Sequence, residues 1–469
     1  MSERSTGRVA LVFVVSIILA GAALRIVASF DAFWLDEIWS WRLAQLAGSF
    51  GGVLRLAHDN NHQLNTLWIR LLGPDAPWPL YRLLALVSSV GTIALAARLA
   101  GQRFDVEAVF ASALVAFSLY FTAFGSEARG YAPMLFFALL AFWSLRRALE
   151  RPTPWGCALF AGCAILGTSA HLAFTHAYGA FVVWSAVRLA SPDSRVVPWT
   201  KRMLALHAIP VAFLVAEYVV VVSDMKIGGG PILPLAAVLS ETLTQGFGAP
   251  DGTWSAIVVA AGLTAVLVAD VVLARRAGSD EWIVTLCAVV VIPALTLAAF
   301  QPQFLAPRYF LVSLVFASLA VARVCANIAR RTRTHAALAS AIILAIVIGN
   351  SVRIAKFLQI GRGHYLEALE RIVAGTRSET ATVTGPDLFH LKLMLPFYER
   401  MLAATPKIEL HEPNALPAGG TEWVLVVDPA QVPDPPHDLR VGGIEYGLVE
   451  VFVRYGPSGW NWILYRRAG

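Results

Sequence analysis

Eleven stretches of this chain are long and apolar enough to cross a membrane, and that feature removes most folds from consideration. They lie at roughly 9–28, 78–99, 105–122, 131–149, 155–171, 174–190, 204–222, 253–273, 282–300, 309–327 and 336–354. Each approaches the about 20 residues that a helix needs to traverse the hydrocarbon. In lipid every backbone N–H and C=O must be satisfied within the protein, so such stretches become helices. Composition agrees: 57% of residues are hydrophobic and 14% charged, against about 45–50% and about 25% in soluble domains. The first stretch, VALVFVVSIILAGAALRIVA, follows a short basic N-terminus. Its apolar run exceeds the roughly 7–15 residues of a secretory signal core, and further spans follow, so it is expected to be a retained first helix.

The connections separate by charge. Arg4 and Arg8, Arg98 and Arg103, Arg146, Arg147 and Arg151, Arg188, Arg195, Lys201 and Arg202, Arg275 and Arg276, and Arg330, Arg331 and Arg333 fall on one set, while the alternate set is poor in basic residues. Positive charge stays on the cytoplasmic side. The N-terminus is therefore expected inside and, after an odd number of spans, the C-terminus outside. The same asymmetry explains the net charge of +6. Residues 1–355 hold 26 basic and 18 acidic residues, and 356–469 hold 11 and 13. No basic patch is left over for nucleic acid. The four cysteines, Cys157, Cys163, Cys287 and Cys325, all lie in apolar runs, as packing residues do.

Near residue 356 the composition changes to turn residues, charges and period-two apolar stretches: EWVLVVD (422–428), GLVEVFVRY (447–455) and WNWILYRR (460–467). Helical patterns, YLEALERIVA (365–374) and FHLKLMLPFYERML (389–402), sit among them. The expected architecture is an all-α polytopic membrane domain over 1–355, with about 11 transmembrane helices, followed by a small extracytoplasmic α/β domain over 356–469.

On the expected outer face the loops are unequal. Loop 29–77 carries Asp31, Asp36, Glu37, His58, Asp59 and His62. Loop 223–252 is broken by Gly and Pro, with 234–247 suited to a short interfacial helix. Short loops hold FGSEARGYA (124–132) and QPQFLAPRYF (301–310), and SAHLAFTHAYGA (169–180) joins two spans. Acids, histidines and arginines thus collect at one face of a very apolar chain, a pattern of functional loops on a rigid scaffold.

Asp36 and Glu37 fall within FDAFWLDEIWSW (30–41), where Trp34, Trp39 and Trp41 suit a membrane interface. A carboxylate beside apolar surface is desolvated, its pKa rises, and it can act as a general base. The structural reading is a helix cap, with Asp36 as N-cap and Glu37 in the first turn. Arg129 and Arg308 lie at helix ends, each near a tyrosine (Tyr131, Tyr309). They suit bidentate phosphate binding, or simply snorkel to headgroups. Glu127 is either a solvating charge or a ligand to a metal or hydroxyl. His62, His171 and His176 are individually more in keeping with hydrogen-bonded structural residues, and the five-residue step from His171 to His176 gives no helical metal-ligand spacing. Glu217, inside a span, is a functional candidate unless it pairs with Arg25 or Arg353.

The first span followed by a loop with WLDE, then HDNNHQLNTLWIRLLG (58–73), SEARGYAPMLFFALLAFWSLRRAL (126–149), HLAFTHAYGAFVVWSAVRL (171–189) and APRYFLVSLVFASLAVA (306–322), resembles the GT-C membrane glycosyltransferases in order and content. Within that group the likeness is to protein O-mannosyltransferases and the aminoarabinose transferases that modify lipid A. It covers roughly residues 1–355, and the C-terminal segment resembles no known domain. The resemblance implies a bacterial inner (plasma) membrane enzyme. Its donor would be a polyprenyl-phosphate sugar, with membrane lipids around it and an acceptor that is protein, glycolipid or polysaccharide. Asp36 matches the family's catalytic acid, acting as base with Glu37 supporting it. Arg129 and Arg308 would hold the donor phosphate, with Tyr131, Tyr309 and His62 beside them. Some relatives use a divalent metal, for which Glu127 and Asp59 are the candidate ligands; others do not. One departure stands out: the family's His-Pro-Pro is replaced by NHQLNTLW, with His62 at the matching histidine. The alternative reading, a lipid-linked-sugar transporter or flippase, predicts symmetry-related broken helices and polar groups at mid-membrane. This sequence shows neither.

Overall fold

The computed structural model of the chain describes residues 3–101, 105–190, 198–228, 232–302, 304–402, 405–430 and 432–468. Arg103, Arg195 and part of the second outer loop, 229–231, lie outside the described residues. All eleven apolar stretches are helical. Eight helices meet the length and apolarity of a membrane span. Two others, Pro154–Ala170 and Phe174–Leu189, have 17 and 16 residues. At about 1.5 Å per residue they fall short of the roughly 30 Å hydrocarbon. The eleventh, expected at 105–122, is a pair, Val106–Ala116 and Leu119–Ser126, bent by 66°. By length, then, eight of these helices among the described residues pass as complete spans, or nine if the bent pair counts as one.

The bend frees backbone carbonyls inside an apolar bundle, where each must be satisfied. Arg25, fully buried in the first helix, answers this need. It donates to the carbonyls of Val115 and Ala116 at 3.0 and 2.9 Å, and to Gly21 O and Ser89 Oγ. On the other side of the break, Asn350 Oδ1 accepts the Leu119 N–H at 2.9 Å. Arg25 therefore does not pair with Glu217, and neither does Arg353, which binds Asp251 at 2.8 Å and the Ala249 carbonyl. The partner of Glu217 is Gln63 Nε2, at 2.8 Å.

The described chain separates into two compact units, the first made of Met1–Ser29 and Leu43–Ile354, the second of Phe30–Arg42 and Ala355–Gly469. In the first, helix Leu311–Ala329 is buried nearly throughout, and Phe142, Phe181, Trp184 and Phe316 form part of the ring-packed core around it. In the second, a mixed six-stranded sheet is built from β1 (Thr380–Thr384), β2 (Lys407–His411), β3 (Trp423–Asp428), β4 (Asp438–Val441), β5 (Ile444–Phe452) and β6 (Asn461–Arg467). Its order is β2-β1-β3-β6-β5-β4. The β1 strand runs parallel to β2 and β3, and the remaining pairs are antiparallel. Helices Tyr365–Gly375 and Leu388–Glu399 complete the α/β arrangement.

Segment 30–42 belongs to this second unit. Asp31 Oδ2 accepts from the backbone N–H and the guanidinium of the fully buried Arg362, at 2.8 and 3.1 Å. Phe33 stacks on Phe397, while Trp39 and Trp41 meet Phe389 and Phe397 edge-on at 5.5 Å. Tyr398 donates to the Phe33 carbonyl at 2.5 Å. Trp39 and Trp41, expected as membrane-interface residues, thus pack on helix Leu388–Glu399.

Candidate active site

In the first unit one turn and three loops converge. Residues 127–130 form a tight turn before helix Tyr131–Glu150, with the Arg129 N–H on the Glu127 carbonyl at 2.7 Å. Asn65 donates to the Ala128 carbonyl and pins the turn at 2.5 Å. Gly130 is required there by space: a Cβ would lie 1.7 Å from the Ala170 carbonyl oxygen and 2.7 Å from His62 Nδ1.

Arg129, almost fully buried, donates from Nη2 to Asn60 Oδ1 at 2.7 Å and to His62 Nε2 at 3.1 Å. A guanidinium only donates, so His62 Nε2 accepts and its ring proton sits on Nδ1. There it points to the Ala170 carbonyl at 3.2 Å. The imidazole is thereby held neutral in one tautomer. Burial pushes its pKa well below the ordinary histidine value, and the Arg129 charge adds to the effect. Tyr131 lies under the Arg129 guanidinium, 5.0 Å from ring centroid to Cζ, a cation–π contact.

His171 joins this group to the loop that carries Arg308. Its ring stands 4.7 Å from His62, 4.5 Å from Tyr131 and 6.2 Å from Tyr309, and Arg308 lies over Tyr309 at 5.7 Å. Its Nδ1 accepts the Ala173 N–H at 3.0 Å, so the ring proton is on Nε2. Burial, then the charges of Arg129 and Arg308, take its pKa down to about 3. Two guanidiniums thus bear on a pair of neutral imidazoles. Arg129, Tyr131, His62, Tyr309 and Arg308, expected from sequence as substrate-binding, are brought together. Asn60 and His171 join them without having been singled out for that role. Asn60 carries no signal in the sequence, and the spacing of His171 from His176 shows nothing of a contact made in three dimensions.

Asp59 sits beside the cluster but is already engaged. His58 Nδ1 is 2.9 Å from Oδ1, and the Gly228 N–H donates to Oδ2 at 2.8 Å, tying the two long loops together. Burial acts to raise its pKa, but these bonds and the Arg129 charge outweigh it and hold the carboxyl below its usual range. Glu127 is fully buried within the turn. Among the described residues no three His, Cys, Asp or Glu side chains are grouped to hold a metal ion.

Asp36 and Glu37 belong to the second unit. Helix Leu35–Leu46 begins before Asp36, so both acids lie in its first turn, where the helix dipole favours negative charge. Asp36 is therefore not the N-cap. Its backbone carbonyl takes the Ser40 hydroxyl at 2.9 Å. Glu37 is fully buried, whereas Asp36 is partly exposed.

No protein-family model matches the sequence, and no curated protein matches it. Solved structures do. The crystal structure of ArnT from Cupriavidus metallidurans in the apo state superposes with a TM-score of 0.52 at 11% identity, over 91% of this chain and 94% of that one. The archaeal oligosaccharyltransferase AglB from Archaeoglobus fulgidus, in complex with an inhibitory peptide and a dolichol-phosphate, gives 0.45 at 12% identity, over 89% of this chain and 69% of that one. The arabinofuranosyltransferase AftD from Mycobacteria gives 0.47 at 16% identity, over 99% of this chain and 42% of that one. The likeness to ArnT is one of fold: a polytopic helical membrane protein, as the sequence led one to expect.

Proposed function

We propose that this chain is a membrane glycosyltransferase that moves a sugar from a polyprenyl-phosphate donor to an acceptor at the outer face of the membrane. The observation that carries this reading is the convergence of Arg129 and Arg308 on His62, His171 and their tyrosines. Fixed guanidiniums over aromatic rings, with neutral imidazoles between, suit a phosphate at a lipid boundary. The same charges stabilise the lipid phosphate as it leaves. The likeness of fold to ArnT supports the reaction class.

Asp36 takes the acceptor's proton. The acceptor's nucleophilic atom then forms a bond to the anomeric carbon while the bond from that carbon to the phosphate oxygen breaks, with inversion. Glu37, buried next to it, fixes the first turn that carries the base.

The test is a donor screen with purified protein in lipid, offering several polyprenyl-phosphate sugars and reading released lipid phosphate. One donor is expected to turn over, and Asp36→Asn to reduce that turnover at least about 100-fold, within the range of general-base contributions, with folding unchanged. Wild-type rates in the folded Asn variant would remove Asp36 from the mechanism.

A further inference from the structure

The first unit carries a groove that the reaction above does not use. It runs between the starts of helices Pro154–Ala170 and Trp199–Glu217, which pack side by side with Phe160 and His207 edge-on at 5.4 Å. Pro152, Pro154, Cys157 and Ala158 line one wall and Ala205 and Ile209 the other, around a volume of about 470 Å³. That lies within the about 300–1,000 Å³ of pockets that hold small molecules. The polar lining residue is Thr153. Its Oγ1 accepts the Gly156 N–H at 3.0 Å, so its hydroxyl hydrogen is left to point outward. Helix Pro154–Ala170 begins at this groove and ends at His171 of the candidate active site. Its 17 residues set the two about 25 Å apart, at about 1.5 Å per residue.

The lip of the groove is basic. Lys201 precedes Ala205 by one helical turn, and Arg202 stands three residues before Ala205 and seven before Ile209. Those steps share one helix face, and helical side chains lean toward the N-terminus. Both cations therefore reach from the apolar wall to its open end. Arg151 adjoins Pro152 on the other wall. Arg151, Lys201 and Arg202 have no ion-pair partner among the described residues, whereas Arg146 pairs with Glu281 and Arg188 with Asp280. Against the three stands Glu150, exposed at the end of helix Tyr131–Glu150. Trp155 and Trp199, exposed in the first turns of the two helices, mark the level where hydrocarbon meets headgroups.

We propose that this groove binds one anionic phospholipid, with an acyl chain between the two helices and the phosphate on Arg202, Lys201, Arg151 and the Thr153 hydroxyl. The apolar walls take the chain out of contact with polar groups, and Lys201 to Ile209 spans eight residues, about 12 Å of depth. The unpaired cations take the headgroup, where a guanidinium and an ammonium both bond phosphate oxygens. A zwitterionic lipid brings its own ammonium group to the lip and meets repulsion there, so the charge selects an anionic one. The site is separate from the donor site, which the convergence of Arg129 and Arg308 marks at the far end of helix Pro154–Ala170.

The test uses the full-length protein in neutral detergent, titrated with dioleoyl phosphatidylglycerol or dioleoyl phosphatidylcholine, with bound lipid counted by native mass spectrometry. One phosphatidylglycerol is expected to bind at least about tenfold more tightly than phosphatidylcholine. Lys201→Gln with Arg202→Gln should weaken it about 30-fold, at about fivefold for each charge removed beside a lipid surface. Ala205→Phe, which fills the groove and keeps the charges, should also weaken it. Arg275→Gln with Arg276→Gln removes two charges from the end of another helix, Thr253–Arg276, and should leave the affinity unchanged. Equal binding of the two lipids, an equal loss in the two double variants, or retention of a second copy of the chain in place of lipid would each overturn the proposal. Raising the salt concentration on the wild type should narrow the preference for phosphatidylglycerol, and a preference that salt does not move overturns the charged lip even if a variant fails to fold. The readout is binding, so failure of sugar transfer in the donor screen would leave this result standing.

Discussion

Arg129 and Arg308 make different contacts, and their loss should differ. Arg129 is buried and bonded to Asn60 and His62, while Arg308 is half-buried over Tyr309. Arg308→Ala should therefore weaken donor use with little effect on folding. We expect a rise of about 10- to 150-fold in donor KM, the loss of a charge-assisted contact of about 1.5–3 kcal/mol, with acceptor KM unchanged. Equal donor KM in the variant would remove the phosphate role. His171 gives a pH dependence with a defined sign. Its pKa, about 3 in the folded chain, lies below the about 6.5 of an exposed histidine. Above pH 6.5 both states are neutral and the folded state keeps its full advantage. As pH falls from 6.5 toward 3 the unfolded chain gains a proton that the folded chain refuses, and stability is lost. Melting of the purified protein between pH 7 and pH 4 should show this loss, and His171→Gln should shallow the slope by one proton. At this scale the sequence was informative where residue type and loop position coincide, as for Arg129, Tyr131 and His62. It was silent on Asn60, whose role comes from a neighbour 69 residues away.

Helices were legible because a membrane leaves the backbone one regular option for an apolar stretch of that length. The break after Ala116 was not. VAFSLYF around it contains neither Gly nor Pro, and the break is held by groups far off in sequence, Arg25 and Asn350. Arg25→Leu should be destabilising because it strips the donors from the Val115 and Ala116 carbonyls within an apolar interior. A loss of about 1–3 kcal/mol per orphaned buried group is expected, read as a lower unfolding midpoint in detergent. An unchanged midpoint would mean that water or lipid headgroups reach those carbonyls. At the turn before helix Tyr131–Glu150 the constraint is steric. Gly130→Ala places a methyl on the Ala170 carbonyl, so backbone must shift, and the Arg129–His62 contact with it. We expect donor KM to rise in Gly130→Ala, and wild-type kinetics would show that the turn can yield without moving Arg129.

For the molecule as a whole, the composition changes near residue 356, and the first compact unit ends at Ile354. What composition did not show is that Phe30–Arg42 leaves the first unit for the second. Its aromatic residues were open to two uses, lining a membrane interface or packing a core, and the facing Phe389 and Phe397 decide for packing. The tie that holds the segment is the Asp31 carboxylate on buried Arg362. Arg362 is fully buried and Asp31 partly exposed, so weakening this charge-assisted bond costs about 1.5–3 kcal/mol. Asp31→Asn should therefore loosen 30–42 from the second unit without disturbing the apolar bundle. Two measurements test this on one preparation. Limited proteolysis should cut within 30–42 faster than in the wild type, while cleavage in 43–354 stays the same. The kcat for sugar transfer should fall with donor KM unchanged, because the residues proposed to hold the phosphate, Arg129 and Arg308, lie in the first unit. A rise in donor KM, with no new cleavage, would mean that Asp31 acts on the donor site and not through the helix that carries Asp36.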